Sequence, residues 1–200
     1  MVVAVSAPRV PAPRLSSFDR AVAEMHDVRL RAEISVSEVP APARIAPRAA
    51  ALAGDVVVHD EEVATGRFIL LHDPAAPAEW GGTFRVVTYV RADLEPEFGE
   101  DPLLGQVGWA WLEEGLSQAG ARAVGTGGTV TRVLSEGYGE LAERPASVDV
   151  EVRASWTPVL ADDGDVAVGA HLQAWAALLC AVAGLPPLPE GVSALAQRMR

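Results

Sequence analysis

The side chains that most often carry out chemistry are few in this sequence and widely separated. The four histidines show no His-x-x-x-His spacing and no neighbouring cysteine; they are His26, His59, His72 and His171. The only cysteine, Cys180, lies in an apolar stretch, which favours a buried, inert thiol over a nucleophile. The acidic residues 60–62 are more typical of a solvated turn than of metal ligands, because no second cluster has ligand spacing. We therefore expect no metal site.

Two further motifs are typical of catalysis but occur in an unsuitable setting. Residues 125–128 (Gly-Thr-Gly-Gly) resemble a phosphate-binding loop, yet they precede a predicted strand and lack the lysine of a P-loop. Entry into a hairpin is the favoured interpretation. His72 and Asp73 could act as an acid–base pair, but this position at a strand end is more typical of a turn. The sequence thus predicts no catalytic residues and no cofactor, and an enzyme is not the favoured reading.

Cationic side chains on predicted strands offer a third kind of chemistry. They are Arg85, Arg91, Arg132 and Arg153. They could surround an anion or a carboxylate, or pair across strands with Asp149 and Glu151; we favour the ion pairs. Trp80 lies in the glycine-containing loop of residues 73–82, where it would either cap a ligand groove or cover the sheet edge. Both interpretations of Trp80 stay open.

These side chains are positioned by a regular succession of strands and helices. Alternation of apolar and polar residues, or short apolar runs, predict strands over residues 34–39, 55–59, 66–72, 83–92, 129–136 and 147–157. Helical spacing predicts helices over residues 17–33 and 101–120, and a third helix that has Asp165 at its N-cap and stops at Gly184. Residues 40–53 predict a loop or a short helix near residues 48–53, and residues 192–199 a terminal helical turn.

The second half of the chain matches the first half at a constant offset. Moving the sequence by 64 residues aligns residues 65–120 with residues 129–184 without a gap, and matches Trp111 to Trp175. We interpret this match as a duplicated ββα unit. It predicts a two-layer α+β domain, in which both helices cover one face of an antiparallel sheet. The helical residues expected to face the sheet are Leu104, Val107, Trp111, Val168, Leu172 and Trp175.

The acidic composition limits the partners of the chain. A net charge of −11 disfavours nucleic acids and anionic membranes. No apolar run is long enough to span a bilayer, and residues 1–15 are more typical of a mobile arm than of a signal peptide. We therefore expect a cytoplasmic protein. Its single α+β domain is predicted over residues 16–188, followed by a tail of residues 189–200.

Five segments of the sequence resemble one family. They are Ala-Thr-Gly-Arg-Phe-Ile-Leu-Leu-His-Asp (64–73), Trp-x-Gly-Thr-Phe-Arg-x-Val-Thr-Tyr-Val-Arg (80–91), Asp-Pro-Leu-Leu (101–104), Gly-Gly-Thr-Val-Thr (127–131) and Arg-Ala-Ser-Trp-Thr (153–157). The set resembles domain of unknown function 3000, a family of high-GC Gram-positive bacteria, over roughly residues 17–187. No activity is assigned to that family, so the resemblance implies none. The order of elements is also similar to the secretion-chaperone-like fold, whose members bind other proteins or dimerise.

The sheet face opposite the predicted helices is the candidate functional surface. It is too apolar to be left bare, so either the N-terminal helix or a partner is expected to cover it. The residues expected at the interface are Val87, Tyr89, Arg91, Thr131 and Val133. We expect a non-catalytic interaction or adaptor module that binds an unknown protein or a second copy of itself. The alternative is a small-molecule-binding protein or enzyme, with Trp80, Arg85 and Arg91 at a site beside the loop of residues 73–82.

Overall fold

A computed structural model describes residues 15–187, apart from the side chains of residues 99 and 100. The predicted arm, except Leu15, lies outside the described residues. So do the tail of residues 189–200 and its predicted helical turn.

The chain forms six strands and three α-helices. The strands are β1 (Ile34–Val39), β2 (Arg48–Val58), β3 (Glu61–His72), β4 (Phe84–Leu94), β5 (Ala123–Ser135) and β6 (Ser147–Pro158). The helices are α1 (Ser17–Asp27), α2 (Leu104–Gln118) and α3 (Val168–Val182), with short 3₁₀ turns at Pro96–Glu100 and Gly139–Leu141. All neighbouring strands are antiparallel, in the order β1-β2-β3-β4-β6-β5. The predicted α+β class with an antiparallel sheet is confirmed.

Strand β2 corrects the prediction of a loop or a short helix at residues 48–53. Residues 48–53 all pair with β3, and residues 51–53 also pair with β1 on the other side. Alanine has a low intrinsic preference for strands, but pairing on both sides outweighs that preference. The hairpin turn that follows is formed by His59 and Asp60, whose φ angles are +52° and +66°. Two positive φ angles are the geometry of a two-residue hairpin, and they confirm a turn at this acidic run.

The ends of all three helices differ from the predicted ones. Helix α2 begins at Leu104 and ends at Gln118, inside the predicted range of residues 101–120. Helix α1 ends at Asp27 and not at residue 33, because Val28 has an extended backbone. Helix α3 has no side-chain cap of its own: Asp165 lies three residues before its first residue and forms an ion pair with Arg20 of α1. The exposed carboxylate of Glu24 in α1 instead accepts a hydrogen bond from the Gly169 N–H, at 2.9 Å. Helix α1 therefore supplies the cap of α3.

The three α-helices lie on one face of the sheet. Helix α3 is central and almost wholly buried, with α2 packed on one side and α1 on the other. Helix α1 reaches the sheet through Phe18, whose ring centroid lies 5.7 Å from that of His72. The core between the layers includes Trp156 and Trp175, both fully buried. The N-terminal helix therefore does not cover the opposite face of the sheet.

Helix α2 presents a different side to the core from the predicted one. Its buried residues are Leu104, Gly108, Leu112, Gly115 and Leu116. Val107 is 38% exposed, and Trp111 is half-buried against a groove on the far side of α3. This side of α2 faces the core because it carries two glycines, Gly108 and Gly115. A Cβ on Gly115 would lie 2.9 Å from the Ala174 carbonyl oxygen, so only a glycine lets the two helices approach this closely.

The duplicated unit stays a prediction. Helices α2 and α3 lie on the same face of one sheet, as a duplication requires. Tyr89 pairs with Arg153, its equivalent at the 64-residue offset. The two hairpins differ in register, however: Thr65 pairs with Arg91, whereas Thr129 pairs with Arg153. The second pairing is displaced by two residues from the position that exact repetition would give.

Candidate protein-interaction face

The sheet surface opposite the helices, called the open face below, carries the odd-numbered residues of the central strands. Within residues 15–187, the α-helices all pack on the other side. Three rows of neighbouring residues cross the open face from β3 through β4 and β6 to β5. They are Ile69, Val87, Ser155 and Gly127; Arg67, Tyr89, Arg153 and Thr129; and Thr65, Arg91, Glu151 and Thr131. Apolar, aromatic and charged side chains are therefore direct neighbours on this face.

Tyr89 is at the centre of this face. Its ring is half-buried, and the Arg153 guanidinium carbon lies 5.4 Å from the ring centroid. The Tyr89 hydroxyl donates a hydrogen bond to Glu151 Oε1 at 3.3 Å, and Arg153 Nη2 donates to Glu151 Oε2 at 2.9 Å. Burial, followed by the negative charge of Glu151, raises the pKa of Tyr89. The phenol is therefore protonated at neutral pH and held in one orientation.

An acidic pair borders Tyr89 towards the end of β4. Arg91 Nη2 donates to Asp149 Oδ1 at 2.8 Å, and Asp93 lies directly opposite Asp149. The hydrogen bond between the two carboxyl groups raises the pKa of Asp93, and the same bond together with Arg91 lowers the pKa of Asp149. The cross-strand ion pair predicted for Arg91 is thus present, whereas Arg153 pairs with Glu151 of its own strand and not across strands as predicted.

Arg85 has a different role from Arg91 and Arg153, because it bonds to hydroxyl and carbonyl groups and not to a carboxylate. Its Nη1 donates to Thr157 Oγ1 at 3.0 Å and to the Gly125 carbonyl at 3.1 Å, and its Nη2 donates to Ser155 Oγ at 2.6 Å. The Thr157 hydroxyl in turn donates to the carbonyl of Trp80 at 2.5 Å. Arg85 therefore ties β4, β6, β5 and the loop of residues 73–82 together. Burial lowers the pKa of its guanidinium, which stays charged.

The structure brings most of the predicted interface residues onto the open face. Those on it are Arg85, Val87, Tyr89, Arg91, Thr131 and Val133, and Trp80 lies in the adjoining loop. Arg132 is on the helix side, where its Nη1 donates to the Asp101 carbonyl at 2.6 Å. A shallow depression of about 400 Å³ lies beside Tyr89 and includes Gly127, Thr129 and Ser155, which sequence reasoning missed. The signal for it is the glycine-rich first half of β5, where Gly125, Gly127 and Gly128 have no side chains.

A second cavity lies on the helical side of the molecule. This groove of about 440 Å³ runs between α2, α3 and residues 29–34, and its walls include Trp111, Ile34 and Ala176. Cys180 also lines it but is only 4% exposed, and burial raises the pKa of its thiol to about 11. The thiol is therefore protonated at neutral pH, in agreement with the inert role expected of it.

The described part of the chain offers no arrangement of metal ligands. Within residues 15–187 no group of three His, Cys, Asp or Glu side chains could hold a metal ion. His171 is buried, half-buried His72 packs between the rings of Phe18 and Phe84, and His26 Nε2 lies 2.8 Å from Glu38 Oε1. None of the described helices is both long enough and apolar enough to cross a membrane.

Comparison with known proteins identifies one family. Residues 14–193 match the family described as protein of unknown function, DUF3000. Comparisons with curated proteins and with solved structures gave no match. The matched range covers almost the whole chain, including every strand and helix described above. The protein therefore belongs to the DUF3000 family.

Proposed function

We propose that this protein is a non-catalytic protein-interaction or adaptor module that binds its partner through the open face. The observation that carries the proposal is the position of the three α-helices, which all pack on one face of the sheet and, within residues 15–187, leave the other face uncovered. That face carries Ile69, Val87 and Tyr89, which are only half-buried. Half-exposed apolar and aromatic residues that neighbour one another and are surrounded by polar groups are typical of interaction sites.

The chemistry of the open face suits a protein partner. Tyrosine and arginine are enriched in the centres of interfaces, where they combine apolar area with hydrogen bonding. Tyr89 and Arg153 form such a centre, and Glu151 holds both in place. The ion pair of Arg91 with Asp149 lies at the border, where charged groups set orientation more than affinity. The acidic chain makes a nucleic acid a poor candidate partner.

A cytoplasmic location fits this role. The only cysteine is a buried thiol, so the chain gains no intrachain disulfide from an oxidising compartment. Fractionation of the native cell, with the protein detected by antibody, tests the location.

Substitution of Tyr89 by glutamate tests the proposal. The new carboxylate would lie beside Glu151 at the centre of the face, so binding of the partner should weaken by at least about tenfold. The control is Val107→Glu, an exposed position on α2. Wild type and both variants serve as baits for pull-down with mass spectrometry, and circular dichroism checks the fold. A partner retained by Tyr89→Glu at wild-type strength would refute the proposed surface.

A second candidate function is binding of a small molecule, and the groove beside Trp111 is the observation that favours it. Its volume and mainly apolar walls are those of ligand sites. The site predicted beside the loop of residues 73–82 is less well supported, because Arg85 and Arg91 are both bonded to protein groups. A thermal-shift screen against metabolites, repeated with Trp111→Ala, distinguishes the groove from other sites.

A further inference from the structure

The two edges of the sheet differ in how well they are protected. Strand β1 has only six residues, carries Glu38 and is followed by Pro40 and Pro42. Short length, charge and proline are the usual means of preventing an edge from pairing with another strand. Strand β5 has 13 residues, contains no proline and bears a single charge, on Arg132. It pairs only with β6 among the strands of residues 15–187.

Strand β5 also exposes apolar side chains. Val124, Val133 and Leu134 are 50%, 43% and 47% exposed. A long edge that combines free backbone N–H and C=O groups with exposed apolar residues is a template for a further strand. An extra residue between Val124 and Gly127 interrupts the register at one end, which leaves residues 127–135 in regular pairing with β6.

We propose that β5 pairs antiparallel with β5 of a second copy of this chain, about a two-fold axis at Thr131. Thr131 is the midpoint of the regular segment of residues 127–135. In this register each Val133 lies opposite Thr129 of the other copy, and each Leu134 lies opposite Gly128. The two sheets become one continuous sheet, and the backbone groups of the two exposed edges pair with each other.

The strand is complementary to itself in this register. The Trp109 ring of α2 lies over Gly128: its Cζ3 atom would be 2.9 Å from a Cβ at that position. Trp109 is half-buried, and Leu134 is on the same side of the strand as Gly128. Leu134 of the second copy therefore meets the Trp109 indole that covers Gly128, and the two-fold axis repeats this contact. One chain thus supplies both the projecting leucine and the indole that receives it, which favours a second copy over an unrelated peptide.

The net charge of the chain predicts how dimerisation should depend on salt. Each chain carries a net charge of −11, so two copies repel one another at a distance. The edge itself bears only Arg132, whose guanidinium is bonded to the Asp101 carbonyl. Salt screens the long-range repulsion but does not weaken backbone hydrogen bonds and apolar contacts at the edge, so association should strengthen as ionic strength rises. A dimer that weakens with salt would be held by ion pairs and would contradict the β5 interface.

Sedimentation velocity over a range of concentrations tests the proposal. Wild type should form a dimer, and Leu134→Lys should raise its dissociation constant by at least about tenfold. Val57→Lys is the matched control, because Val57 is 40% exposed on β2. It should dimerise as wild type does. A wild type that is monomeric up to its solubility limit at high salt would overturn the proposal, as would an undiminished Leu134→Lys dimer.

Cross-linking gives an answer that does not depend on the stability of Leu134→Lys. Thr131→Cys places a reactive thiol at the proposed two-fold axis. Native Cys180 is buried, so it should not react with the cross-linker. A short bismaleimide should join two copies of Thr131→Cys but not of Ser37→Cys, an exposed position on β1. Equal cross-linking of the two would refute the register. The β5 dimer and the binding of a partner at the open face can be tested separately. Tyr89→Glu should leave the dimer intact, and Leu134→Lys should leave partner binding intact.

Discussion

The indole Nε1 of Trp156 donates a hydrogen bond to Nδ1 of His171, at 3.0 Å, in the centre of the core. Trp156 is fully buried and His171 is 2% exposed. The bond joins β6 to α3 and satisfies the one polar atom of the indole. Because Nδ1 accepts, the ring proton of His171 is on Nε2, and the imidazole is neutral.

Acid should destabilise the fold through His171. Burial lowers the pKa of His171 from 6.5 to about 4, so between these values the unfolded chain binds more protons than the folded chain. The free energy of unfolding should therefore fall as the pH drops from about 6.5 to about 4, and His171 alone should account for about 3 kcal/mol. Urea denaturation at a series of pH values measures this slope.

The control for this experiment is His171→Asn. An asparagine can still accept the Trp156 hydrogen bond but does not titrate, so its slope over the same range should be shallower. His72, whose pKa burial also lowers, is common to both proteins. Parallel pH profiles for wild type and variant would show that His171 does not carry the effect.

Arg85 should contribute more to stability than Arg153. Arg85→Ala leaves Ser155 and Thr157 without a donor on a half-covered surface, which should cost about 2 kcal/mol. Arg153→Ala breaks an ion pair whose arginine side chain is 64% exposed, and should cost less than about 1 kcal/mol. Urea denaturation of both variants measures the difference. Equal losses would mean that Arg85 does not tie the strands together as its contacts indicate.

The sequence was most informative where one strand face is buried and the other is not. The alternation from Phe84 to Arg91 assigned each residue of β4 to the correct face, because the side-chain period of a strand is two. The open face and most of its predicted residues followed from that pattern. The same pattern was weak in β2, where alanines flank Leu52 and the burial of neighbouring residues differs little.

Features that depend on packing between distant residues could not be predicted. The sequence of α2 contains two apolar stripes, and only the close contact of Gly115 with α3 determines which of them faces the core. The pairing of Trp156 with His171 joins a strand and a helix, so no local spacing indicates it. The depression at Gly127 depends on the interrupted register of β5, which has no counterpart in the apolar pattern.

Replacement of glycine by alanine should have opposite effects on the stability of the fold at two positions of α2. Gly115→Ala places a Cβ 2.9 Å from the Ala174 carbonyl oxygen, a backbone atom that cannot move aside, and should cost about 2 kcal/mol. At Gly105 the added Cβ meets nothing within 4 Å, so alanine should stabilise the helix by up to about 1 kcal/mol. Thermal and urea denaturation compare the two variants. The same sign at both positions would mean that the contact between α2 and α3 does not limit stability.

The rate of thiol labelling should report how α2 protects the groove. Cys180 is 4% exposed and its thiol is protonated, so in wild type a thiol reagent should react only through unfolding, at a rate that rises steeply with urea. Trp111→Ala removes a wall of the groove that Cys180 lines, and should give fast labelling that is nearly independent of urea. Trp109→Ala is the matched control, because Trp109 lies over Gly128 of β5, and the urea dependence should persist. Labelling that is equally fast in both variants would show that loss of an aromatic residue, and not the opening of this groove, exposes the thiol.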